Sequence, residues 1–142
     1  MAAQRVAWAR AVVGAFVAEI AQVAAAFGWV ATYSYLINPG QAIETYRAYA
    51  QVSGPWVSII AGAPIFLAAS YWIARSLPTA RALFAVFLCV DLAILIVATD
   101  PATPIPWGLA VVSYTTKLAM CVLGGRLADR RRETIAASVA SV

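Results

Sequence analysis

Residues 11–37, AVVGAFVAEIAQVAAAFGWVATYSYLI, carry one ionisable side chain, Glu19, in a run long enough to cross a bilayer as a helix. A helix this long and this apolar on every face does not fit the surface of a soluble domain. The rest of the chain has the same character. It has 142 residues, of which 63% are hydrophobic and 11% charged, with a mean hydropathy of +0.83. Soluble domains are nearer about half apolar and about a quarter charged, and a core of this size could not hide the excess. Low hydrophobicity and high charge mark disorder, so disorder is excluded as well. The sequence reads as an integral membrane protein.

Three further apolar stretches follow, at about 55–74, 82–99 and 105–124. Asn38-Pro39-Gly40 closes the first span. Ser53 is placed to cap the second, with Pro55 in its first turn. Asp100-Pro101 closes the third, and Gly125 with a basic tail (125–142) follows the fourth. The piece beyond Arg132 is too short to span and is expected to fray. Residues 41–51, with Tyr46, Tyr49 and Trp56 nearby, read as a short interfacial helix or ordered loop. The expected fold is therefore all-α: one domain over 1–142, an antiparallel four-helix transmembrane bundle.

Arginine placement orients it. Four spans put both termini on one side. That side carries Arg5, Arg10, Arg75, Arg81, Arg126, Arg130, Arg131 and Arg132, and the other carries Arg47. Basic loops stay cytoplasmic, so both termini are expected there, in a bacterial inner membrane. Nine arginines against one lysine, with heavy alanine use, fit a GC-rich bacterial genome. A cleaved signal peptide is the competing reading of the first span, since Ala24-Ala25-Ala26 offers a cleavage site. Glu19 and the length of the run past Ala26 argue against it. The net charge of +4 sits mainly on the cytoplasmic rim, where the tail can meet anionic headgroups, and nucleic acid is not an expected partner.

Three ionisable groups lie inside the spans: Glu19, Asp91 and Lys117. Each costs about 2.5–3.5 kcal/mol at a helix centre. Glu19 is nine residues in from Arg10, Asp91 ten in from Arg81, and Lys117 nine back from Arg126. At about 1.5 Å per residue all three lie about 13–15 Å deep, halfway through a core about 30 Å thick. Two acids face one base, so one carboxyl must be protonated, hydrogen-bonded or bound to a cation, and such a group can exchange a proton. The residue is lysine rather than arginine, and lysine can release its proton when buried.

Helical spacing extends the layer. Gln22 lies one turn from Glu19, and Tyr33 returns to that face further along. Ser113, Tyr114, Lys117 and Cys121 form one stripe, and Gly54, Ser58 and Gly62 a stripe of small residues suited to close helix contact. Pro64 removes a backbone donor near the charged level and is expected to kink its helix. Cys89 and Cys121 read as packing residues, Trp29, Tyr33 and Tyr35 as an aromatic belt, and Asp129 and Glu133 as surface ion pairs. A Ser113–Lys117 dyad would need an oxyanion site and an access path to act on a peptide. With no histidine in the chain, His-held haem, zinc or copper is excluded. No cofactor, metal or catalytic residue is expected.

The segment Phe16-Val17-Ala18-Glu19-Ile20 resembles the first helix of the small multidrug resistance transporters, four-span chains with a membrane-embedded glutamate there. The likeness is confined to that helix, because the family pattern has no counterpart of Asp91 and Lys117. The residues themselves lead to a small transporter or channel for a proton, cation or small amine. Glu19 and Asp91 would bind, Lys117 would bias their ionisation, and Gln22, Ser113 and Tyr114 would assist. Four thin helices imply a homo-oligomer. The alternative is an accessory subunit whose charged layer docks on a membrane partner protein.

Overall fold

The computed structural model describes residues 5–98 and 106–140. Thr99, Asp100-Pro101 and Ile105, expected at the ends of the third and fourth spans, lie outside them. Four helices follow in order: α1 (Trp8–Thr32), α2 (Ile43–Ala69), α3 (Leu77–Ala98) and α4 (Trp107–Ala140). Single π-helical turns, Tyr33–Ile37 and Ser70–Ala74, extend α1 and α2. All four are long and apolar enough to cross a membrane. Among the described residues there are no strands.

The helices alternate in direction along the chain, but sequence order is not spatial order. The contacts run α1–α2, α2–α4, α4–α3 and α3–α1. Consecutive α2 and α3 therefore lie on a diagonal and meet near the turn that joins them and, across the centre, through the edge-to-face pair Phe66–Phe87. Two of the four contacts are antiparallel. In α1–α2 Trp29 reaches Tyr49, and in α3–α4 Leu77 reaches Asp129. The other two are parallel. Ala7 meets Thr79 at the starts of α1 and α3, and Ser58 meets Ser113 on α2 and α4.

Small residues permit this packing. Ala11, Ala15 and Ala18 on α1 are buried against the core formed by Leu83, Phe84, Phe87 and Phe66. A Cβ on Gly124 would lie 2.6 Å from the carbonyl oxygen of Leu67, so α4 needs glycine where it crosses α2. The exterior is apolar: Phe27 is 73% exposed, Ile60 71% and Val97 87%. Water would not tolerate so large a continuous apolar surface.

Several helix ends differ from the sequence reading. The second helix begins at Ile43, not near Pro55, so Ser53 and Pro55 are interior and residues 43–51 are its first turns. Glu44 sits favourably in that first turn, toward the positive end of the helix dipole. Gly40, with a φ of 80°, turns the chain. The Tyr46 hydroxyl then clamps the connection, accepting from the Gln41 amide at 3.0 Å and donating to the Asn38 carbonyl at 2.9 Å. The expected fraying after Arg132 is likewise corrected, because α4 continues as helix to Ala140. At about 1.5 Å per residue its 34 residues span about 51 Å, well beyond a hydrocarbon core.

Among the described residues Asp129 forms no surface ion pair. Its Oδ2 accepts the Leu77 amide at 3.0 Å and so caps the start of α3 from a distant helix. Cys121 is fully buried, whereas Cys89 is exposed on the outer face and is no core packing residue.

Candidate functional site

Lys117 is the centre of the bundle, with a side chain only 1% exposed. Its stem passes Gly62 of α2, where an added Cβ would fall 2.8 Å from Cε. A larger residue there would push the lysine stem off its present path. The same absent Cβ would lie 3.3 Å from Gln22 Oε1, so the lysine stem and the α1 amide meet over this glycine. Nζ donates to Ser58 Oγ at 2.9 Å, and Ser58 and Ser113 share a hydrogen bond of 3.1 Å.

Three rings enclose the ammonium. Their centroids lie 5.0 Å (Phe87), 5.6 Å (Tyr114) and 5.7 Å (Phe66) from Nζ. Negative ring faces attract a cation that has given up water, and the effect is largest where desolvation is nearly complete. Glu19 and Asp91 both lie within electrostatic reach of Lys117 and of each other. The Asp91 carboxylate accepts a 2.5 Å hydrogen bond from the Tyr114 hydroxyl, which joins α3 to α4.

The site has two sides. Toward α1 lie Glu19, 7% exposed, and Gln22, 8% exposed. Glu19 Oε2 and Gln22 Oε1 are buried without a hydrogen-bond partner among the described residues. An unmet buried acceptor costs about 1–3 kcal/mol, more when charged, while an ammonium has three donors and Ser58 takes one. Toward α3 and α4 lies a cavity of about 190 Å³, lined by Asp91, Lys117, Ser58, Ser113 and Tyr114. It continues past Leu95 and Leu109 to Pro106, toward the end of the bundle away from the termini.

Glu19, Gln22, Asp91, Ser113, Tyr114 and Lys117 therefore come together as the depth arithmetic requires, with Cys121 buried further along the α4 stripe. Two expected members do not join them. Tyr33 belongs to an aromatic cluster at the far end, stacked on Tyr49 at 3.5 Å between centroids. Pro64 lies inside α2, exposed on its outer face.

Ser58, Gly62, Phe66 and Phe87 complete the site, and sequence reasoning did not assign them to it. Ser58 and Gly62 had a signal, since their small-residue stripe predicts close approach and its serine brings a hydroxyl to the contact. Phe66 and Phe87 had none; a phenylalanine in an apolar run is indistinguishable from any core residue.

Chemically, the arrangement can hold a cation between carboxylates or pass a proton among Lys117, Glu19 and Asp91. Among the described residues no three His, Cys, Asp or Glu side chains gather as metal ligands. No family model, curated protein or solved structure matches the chain.

Proposed function

We propose that the chain is a small transporter or channel-like protein of a bacterial inner membrane. It moves a proton, a cation or a small amine through the layer around Lys117. One observation carries this reading. A fully buried ammonium stands between unmet acceptors of α1 and a cavity that holds a second carboxylate. A static assembly lock would pair its charges completely, because incomplete pairing at depth is expensive.

The exposed apolar exterior supports insertion in a bilayer. The arginine distribution supports cytoplasmic termini. Four helices give a thin wall, which supports a homo-oligomer. In this account Glu19 and Asp91 accept the cargo, and Lys117 offsets their charge while the site is empty.

The test is reconstitution of the purified chain alone in proteoliposomes, with imposed gradients of protons, potassium or methylammonium. Flux of any one above protein-free vesicles supports the proposal. If none moves, and detergent extracts instead yield a stoichiometric partner that Lys117→Met loses, the chain is an accessory subunit.

A further inference from the structure

We propose that the outer face of α2 and α4, at the end that holds the termini, binds an anionic phospholipid. The site is separate from the Lys117 layer, so it stands whether or not the chain transports anything. A cavity of about 300 Å³ is lined by Arg75, Arg131 and Arg132 together with Tyr71 and Trp72. A second, larger and mainly apolar groove of about 590 Å³ shares Tyr71 and Trp72 and continues along Ala68, Leu67, Pro64 and Leu127. A basic chamber thus opens into an apolar trough, with two aromatic residues at the join.

Two of the three arginines are already positioned. Arg131 Nη1 donates to the Tyr71 hydroxyl at 3.1 Å, and its guanidinium lies 6.0 Å from that ring's centroid. Arg75 takes a left-handed backbone conformation (φ 57°) where the π turn ends. Its Nε donates to the Trp72 carbonyl at 2.8 Å, which uses one of five N–H donors. A planar guanidinium fixed in this way suits the oxygens of a phosphate diester. Two acids lie nearby on α4: Asp129 is engaged at the Leu77 amide, and Glu133, next to Arg132, makes no ion pair among the described residues. Trp72 is 63% exposed beside the chamber, as an anchor at the headgroup level should be.

Length identifies the occupant. From Arg75 back to Pro64 is eleven residues, about 16 Å of helix. That is close to half of a hydrocarbon core about 30 Å thick, the depth reached by one acyl chain of a single leaflet. Free phosphate would need the basic chamber and would leave the trough unused. A lipid with a neutral headgroup would use the trough and leave three guanidinium groups uncompensated. An anionic phospholipid meets both.

The experiment places the full chain in nanodiscs of equal phosphatidylglycerol and phosphatidylcholine. It is then extracted in mild detergent, and retained lipids are counted by native mass spectrometry. Phosphatidylglycerol should be retained in preference. Arg131→Gln and Arg132→Gln should each lower that preference about fivefold. Ala68→Trp, which fills the trough and keeps every arginine, should lower lipid retention as well. Added inorganic phosphate should not displace the lipid. Equal retention of the two lipids overturns the proposal, as does a preference that survives both arginine variants. Displacement by inorganic phosphate, or retention unchanged in Ala68→Trp, shows that the arginines hold the anionic group without help from the trough and overturns the proposal too.

Discussion

The Tyr114 hydroxyl donates to Asp91 Oδ2 at 2.5 Å, joining α4 to α3 at the level where Lys117 enters the interior. The bond fixes which way the Asp91 carboxylate faces, and it does so beside the cavity that leads to Pro106.

Tyr114→Phe removes that donor and leaves the ring in place. A hydrogen bond to a charged group contributes about 1.5–3 kcal/mol, so the variant should be destabilised by about that amount. Asp91→Asn in the same background should add little further loss. Thermal unfolding of both single variants and the double variant in detergent gives the coupling, and full additivity would show that the pair does not interact.

Lys117→Met leaves Glu19 and Asp91 without the buried ammonium they share. Removing one member of a buried charge set destabilises by about 3–5 kcal/mol, largely through the charge left behind. Glu19→Gln removes one of those charges. The double variant Lys117→Met/Glu19→Gln should therefore be more stable than Lys117→Met alone. Detergent melting curves compare them directly, and an additive further loss would mean that Glu19 and Lys117 are independent.

Asp129→Ala removes the cap on the first turn of α3, a loss of about 0.5–2 kcal/mol. Asp129→Asn keeps an acceptor and should retain most of the stability. Hydrogen exchange at the Leu77 amide reports on this contact, with faster exchange in Asp129→Ala than in Asp129→Asn.

The buried layer was legible because hydropathy, charge and the helical rise act together. Apolar runs marked four helices, and counting from flanking arginines put Glu19, Asp91 and Lys117 at one depth. The helix ends were not legible, for a physical reason. Polarity marks where the chain leaves an apolar environment, and a helix can continue well past that point. Thr45, Arg47 and Gln51 look like a connection yet form the opening turns of α2. The charged stretch after Arg126 likewise stays helical to Ala140.

Spatial partners were harder still. The α2–α3 diagonal depends on which faces pack, and short connections alone do not determine that. Asp129 sits among arginines in sequence, while its partner, the Leu77 amide, lies 52 residues away. Ser58 is a ligand of Lys117 because Gly62, one turn along α2, leaves room for the lysine stem.

If the carboxylates around Lys117 carry the cargo, removing the charge of either one slows its passage. Flux through proteoliposomes of the wild type, Glu19→Gln and Asp91→Asn, measured across a range of pH, tests this most directly. Each substitution keeps the side chain's shape, removes its charge and should lower flux at least about tenfold, the effect of about 1.4 kcal/mol at the rate-limiting step. Flux equal to wild type in both variants at every pH would contradict that role.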